Sequence, residues 1–340
     1  MDLPTVWFLL IAALFVGYFI LEGFDFGVGA LLTTLGRDDT ERRVIINTIA
    51  PVWDANEVWL ITAVAAMFAA FPDWYATLLS GFYLPALAIV LALIVRGVAF
   101  EYRGKHDDTA WRTRWDHAIV ASSAAPAVLW GLIFANITHG VPLDAAHEYT
   151  GDLLTLLNPY ALLGGATTGA LFLTHGAVFL SLKTTGELRR RAGRLATRTG
   201  PATIALTTGF LGWTLLTGPG GGVPGTTAAL AAAAALTAVG ALLAGLAALR
   251  AGREGWAFTG TATGIALSVA VLFAVGHPDL LTSSTHPAHS LTIANAAASP
   301  YTLNLITWVG ALFAPLVLAY QAWTYWVFRR RIDVAHIPGH

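Results

Sequence analysis

Four carboxylates stand where a largely apolar chain is least able to hold them. Glu22 and Asp25 lie inside the run GYFILEGFDFGVGALL, and Asp54 and Glu57 open the later run INTIAPVWDANEVWLI. A carboxylate at the centre of a bilayer costs roughly 2.5 to 3.5 kcal/mol on insertion scales, so such groups face a protein interior or a polar path. Glu22 and Asp25 are three residues apart, as are Asp54 and Glu57, and on a helix that spacing sets each pair on one face. Gly23 and Gly27 occupy the adjoining stripe, where small residues let a second helix approach closely and turn the acids toward protein. Taking the first span to end near Leu32, Asp25 lies roughly 10 Å inside it, and Asp54 and Glu57 lie roughly 5 to 10 Å inside the start of the second. Antiparallel packing of the two helices would bring all four acids together in the cytoplasmic half. Carboxylates clustered at low dielectric cannot all ionise, so some are expected to hold protons and pass them on.

A structural reading stands beside the proton-conducting one. The acids could bond to Asn47 and Asn56 and lock the first two helices together, and Asp54 and Glu57 could complement the positive helix terminus that follows Pro51. Helix-terminus charge does not account for Asp25, which sits far from any terminus. At the inner end of the third span Arg96 and Glu101 form either a pair or an ordinary interfacial anchor. Among the span histidines only His175 is deep, while His117 and His139 lie near opposite span ends, so axial ligation of a haem between matched helices is not expected. His277, His286 and His289 share a Pro-, Ser- and Thr-rich stretch without helical spacing or an acidic partner, which reads as an exposed loop and not a metal site. The GPGGGVPG segment, Gly218 to Gly225, lacks the Lys and Ser/Thr of a phosphate loop and reads as a connector.

These residues are set in a membrane composition. Hydrophobic residues make up 56% of the 340 and charged residues 11%, well below the quarter or so of soluble domains. A net charge of −1 argues against nucleic acid as a partner. The absence of cysteine excludes disulfides, thiolate metal sites, iron–sulfur clusters and covalent haem attachment. The start, MDLPTVWFLL, lacks a basic region and a cleavage site and reads as a retained first span. Apolar windows of about 20 residues fall near 5–32, 52–71, 75–97, 117–139, 160–182, 201–217, 227–249, 256–275 and 302–328, which predicts nine transmembrane helices and an all-α polytopic membrane protein. With Arg96 counted at the edge of the third window, all 19 Lys and Arg fall on alternate connections, which predicts an outer N-terminus and a cytoplasmic C-terminus. Trp7, Trp74 and Tyr75 then mark outer boundaries, and Trp256, Trp323, Tyr325 and Trp326 inner ones. Residues 226–249, almost all Ala, Leu, Gly and Thr, read as close-packing scaffold.

The segments EGFDFGVGALL (22–32), GRDDTERRVIINTIAPVWDANEVWLI (36–61), FPDWYATLLSGFYLP (71–85) and RGVAFEYRGK (96–105) resemble subunit II of cytochrome bd-type quinol oxidases. The resemblance implies two four-helix bundles, here 1–139 and 160–275, with a ninth helix at 302–328. It also implies a partner, subunit I, that carries haem b, haem d and the quinol-oxidising site, and no haem in this chain. A small single-helix subunit is a further partner on this reading, and some members hold a structural quinone or lipid. The positions matching Asp25 and Asp54 are assigned in the family to a proton route from the cytoplasm, with Glu22 and Glu57 beside them. Several members have His where this chain has Val52, which removes the side chain of a histidine-assisted step at that position, and some have Gln where it has Glu57. Buried acids also mark ion-coupled secondary transporters, which is the competing class. A pure assembly scaffold is a third.

Overall fold

The computed structural model describes residues 2–217 and 225–333, so most of the Gly218 to Gly225 connector lies outside the described residues. Twelve α-helices make up most of it. Helix α1 runs Leu3–Ala30, started by Asp2, whose carboxylate accepts from Thr5 N at 3.1 Å, and by proline in its first turn. A short α2, Leu32–Leu35, precedes α3, Asp39–Ile49, and α4, Trp53–Ala70. Pro51 lies in the break between α3 and α4, which are bent by 44°. After α5 (Pro72–Gly81) and α6 (Tyr83–Tyr102) come α7 (Thr109–His139), α8 (Pro159–Lys183), α9 (Gly186–Thr217), α10 (Gly225–Arg250), α11 (Glu254–Gly276) and α12 (Pro300–Val327). Asn158 and Ser299 cap α8 and α12 in the same way as Asp2 caps α1, each with proline following.

Among the described residues, seven helices are long and apolar enough to cross a membrane, or eight if α3 and α4 together form one span. The chain is therefore a multi-pass, mostly helical membrane protein. The two expected windows outside the seven are 52–71, which is α4, and 201–217, which is the second half of α9. The 75–97 window needs correction. Pro85 has no N–H to bond the Gly81 carbonyl, the helix breaks at Phe82, and α6 then continues to Tyr102. Arg96 thus lies inside α6, fully buried, and not at the edge of a connection. The boundary aromatics also divide. Trp7 and Trp74 are buried, Trp7 donating to Thr307 Oγ1 at 3.0 Å, whereas Trp256, Trp323 and Trp326 are exposed.

Helix α1 is the axis of the molecule and packs on α4, α7, α8 and α11. Its crossing with α8 is a backbone contact. A Cβ on Gly27 would meet the Phe172 carbonyl oxygen at 1.9 Å, and one on Gly176 would meet the Gly27 carbonyl carbon at 2.5 Å. Small residues on both helices permit that approach, which brings the acid-bearing stripe of α1 into the interior. By contrast α12 rests on α1 and α4 with most of its apolar surface exposed. At one end of the bundle, strands β1 (Asp279–Leu281) and β2 (Leu291–Thr292) pair antiparallel and a bridge joins Val141 to Ser283. His289 lies in this layer with its Nδ1 3.1 Å from the Leu143 carbonyl oxygen. At the other, arginine-rich end the buried Asp116 pairs with Arg42 at 2.9 Å and Arg103 at 2.5 Å, and Ile332 N donates to the Lys183 carbonyl at 2.8 Å.

Candidate functional site: a buried acid–arginine cluster

One nitrogen gathers two of the sequence-predicted acids. Arg96 Nη2 donates to Glu22 Oε1 at 2.8 Å and Oε2 at 2.6 Å, and to Glu57 Oε1 at 2.7 Å. The guanidinium lies over the Phe26 ring, 4.6 Å from its centroid, so the ring face supplements the carboxylates. Glu22 and Arg96 are fully buried and the Glu57 side chain is 20% exposed. Three helices, α1, α4 and α6, therefore meet at one charged knot.

Asp25, one turn beyond Glu22 on α1, is also fully buried. Its Oδ2 accepts from Asn56 Nδ2 at 2.7 Å, while the Asn56 Oδ1 accepts from Tyr325 Oη at 2.8 Å and Gln321 Nε2 at 3.1 Å. Asp25 Oδ1 and the Nε and Nη1 of Arg96 are buried with no hydrogen-bond partner among the described residues. Unpaired polar atoms of this kind are uncommon in a folded interior and mark a reactive or hydrated place.

The structure brings Glu22, Asp25, Glu57, Arg96 and Asn56 together and leaves three of the expected residues apart. Asp54 is exposed on the first turn of α4 and makes no hydrogen bond or ion pair among the described residues. Glu101 is exposed near the end of α6, so the partners of Arg96 are Glu22 and Glu57 and not Glu101. Asn47 is exposed on α3. The buried stripe of α4 runs Asn56, Ala63, Met67 and Ala70. At 100° per residue Glu57 flanks that stripe and Asp54 falls nearly opposite it. Val52 is buried. Sequence reasoning missed Gln321 and read Tyr325 only as a boundary aromatic, although their spacing of four sets both on one face of α12.

His175 is fully buried between α1, α8 and α11 with both ring nitrogens engaged. Its Nδ1 lies 2.6 Å from Thr261 Oγ1 and its Nε2 3.2 Å from the Ile20 carbonyl oxygen, and the ring stacks on Phe258 at 4.6 Å. His139 packs at 5.2 Å on Tyr160, and His117 is exposed. A separate apolar cavity of about 210 Å³ lies between α1, α4, α5, α6, α7 and α11, lined by Phe15, Met67, Trp74, Ile89 and Phe134 among others. The indole N–H of Trp74 is buried there without an acceptor among the described residues.

Residues 3–328 match the family described as cytochrome bd terminal oxidase subunit II. The chain is 40% identical over 333 residues to the cytochrome bd ubiquinol oxidase subunit 2 of Bacillus subtilis (strain 168), covering 98% of this chain and 97% of that one. Against the cytochrome bd-I ubiquinol oxidase subunit 2 of Escherichia coli (strain K12) the identity is 36% over 365 residues, with 97% and 95% covered. A chain of the bd oxidase structure from Geobacillus thermodenitrificans superposes with a TM-score of 0.74 over 96% of this chain and 99% of that chain, at 17% identity, which is a likeness of fold. A match over almost the whole length, with relatives at this identity, makes the chain a member of the cytochrome bd terminal oxidase subunit II family.

Proposed function

We propose that this chain is the haem-free subunit of a cytochrome bd-type quinol oxidase in a bacterial cytoplasmic membrane, supporting the haem-bearing subunit I and supplying it with protons from the cytoplasm. The haems of that partner would carry electrons from quinol to oxygen. Reduction of oxygen to water consumes protons, and drawing them from the inner side while quinol releases its own outside contributes to the proton motive force. The observation that carries the reading is the gradation of exposure across the cluster, from Glu57 at 20% to the fully buried Glu22 and Asp25, with Asp54 exposed one turn away on another side of α4. Asp54 and Glu57 accept protons at the mouth, and Glu22 and Asp25 relay them inward. Arg96 keeps charge in the low-dielectric interior compensated while protons pass.

The same reading has nine crossings, with α5 and α6 as one and the second half of α9 as another. Every Lys and Arg except Arg96 then lies on the cytoplasmic side, with the N-terminus outside. Spans from 1–139 and 160–275 form two bundles, and α12 lies at their edge. The apolar cavity and the free Trp74 donor suit the tail and carbonyl of a structural quinone or lipid. Family membership weighs against the ion-coupled carrier. The test is turnover of Asp25→Asn and Asp54→Asn complexes with haem content verified. Reduced turnover at normal haem content is expected. Full turnover with normal proton uptake in both would leave the acids a structural role only.

A further inference from the structure

The geometry points to Gln321 and Tyr325 of α12 as positioning residues that fix the Asn56 amide so that its N–H, and not its carbonyl, faces Asp25. A carboxamide turned by half a rotation occupies almost the same volume, so its orientation is decided by hydrogen-bond partners alone. Asn56 is fully buried, and the donors Tyr325 Oη and Gln321 Nε2 both converge on its Oδ1. That leaves Nδ2 for Asp25 Oδ2. The reversed amide would set a carbonyl oxygen against a carboxylate oxygen, an arrangement that holds only while Asp25 carries a proton. Two donors on α12 thus bias which form of Asp25 the site accommodates.

The source of these donors is informative. Helix α12 lies at the edge of the bundle and exposes Leu305, Trp308, Leu312, Leu316 and Trp323, yet it turns two polar side chains, four residues apart, onto one buried atom. Fastening alone would be served by the apolar contacts of the same face. The charged and titratable groups around Asp25 are Glu22 on its own helix, Glu57 on α4, Arg96 on α6 and Tyr325 on α12. Of these only Tyr325 acts on Asp25 through Asn56.

The inference rests on the proton-route reading of Asp25. Its test uses the whole complex carrying Gln321→Met and Tyr325→Phe, each nearly isosteric, singly and together. With haem content unchanged, the double variant is expected to lose turnover on the order of tenfold, as misplacement of a reacting group does, and each single variant less because one donor remains. In redox-induced infrared difference spectra the carboxyl band that Asp25→Asn removes should shift in the double variant. Unchanged turnover and an unshifted band in the double variant would overturn the inference, as would a lower melting temperature with the band in place, which is the mark of simple fastening. Loss of turnover in Asp25→Asn beside a normal double variant refutes the positioning role alone. Normal turnover in Asp25→Asn removes the route on which it rests.

Discussion

Replacing Arg96 by methionine tests whether the knot at α1, α4 and α6 depends on its single cation. Arg96 is in contact with Glu22 at 2.6 Å and Glu57 at 2.7 Å, and only Glu57 has any access to solvent. A unit-charge pair at about 4 Å is worth roughly 4 kcal/mol at an effective dielectric of about 20, so two pairs give a gross attraction on the order of 8 kcal/mol. Desolvation offsets several kcal/mol for each ion, and removing one partner of a buried pair leaves a net loss of about 3 to 5 kcal/mol. The neighbouring Phe26 ring, 4.6 Å from the guanidinium carbon, adds roughly 1 kcal/mol to what is lost. Most of this is the penalty of stranding two carboxylates, so neutralising them should return it. Melting of the detergent-solubilised complex, followed by haem release, should therefore order the variants: Arg96→Met lowest, Arg96→Met with Glu22→Gln and Glu57→Gln close to the parent. If the single variant melts like the parent, or if neutralising the acids lowers the melting point further, the electrostatic account of the knot is wrong.

Gly27→Ala should abolish assembly, because its Cβ would lie 1.9 Å from the Phe172 carbonyl oxygen, whereas Gly240→Ala on α10, with nothing within 4 Å, should give parental yields of haem-bearing complex. Normal yield from Gly27→Ala would show that α1 and α8 do not cross in backbone contact. In the layer formed by β1 and β2, burial raises the pKa of Asp279 above the ordinary 3.8. A raised carboxylate pKa means that the folded state holds the proton more tightly. The contribution of Asp279 to the stability of the layer is therefore fully present below pH 3.8 and is lost as pH rises through the folded value. Hydrogen exchange of the Ser283 and Ile293 amides, corrected for intrinsic rates, should show this loss in the parent and not in Asp279→Asn; a slope that survives the substitution assigns it to another group.

How much of this was legible beforehand depended on whether a residue's role is local. The first span, expected near 5–32 from hydropathy, is α1, Leu3–Ala30, whose start Asp2 and Pro4 fix within one turn. The burial of Glu22 and Asp25 could be read because the glycine stripe beside them admits α8. Arg96 was misplaced because hydropathy treats a lone cation near the end of an apolar run as the boundary, and only the carboxylates of α1 and α4 make its burial tolerable. Asp54 and Glu57 were read as one face from their spacing, but the stripe through Asn56, Ala63, Met67 and Ala70 decides which side of α4 turns inward.

Asn56 shows where sequence reasoning stops. A buried carboxamide has a donating end and an accepting end, and leaving either unpaired costs about 1 to 3 kcal/mol. Asp25 can satisfy only the donating end, so the accepting end needs a donor from elsewhere in the fold. Which donor did not follow from the sequence, because Gln321 and Tyr325 are 265 and 269 residues away and reach Asn56 only once α12 lies against α4. Helix α12 is also held by the Trp7 to Thr307 bond, and just beyond its ends Ala298 N donates to the Ala70 carbonyl and Lys183 Nζ to the Phe328 and Arg330 carbonyls. Those contacts fasten α12 at points away from Asn56. Gln321→Met and Tyr325→Phe are therefore expected to act on the amide beside Asp25 more than on the docking of α12.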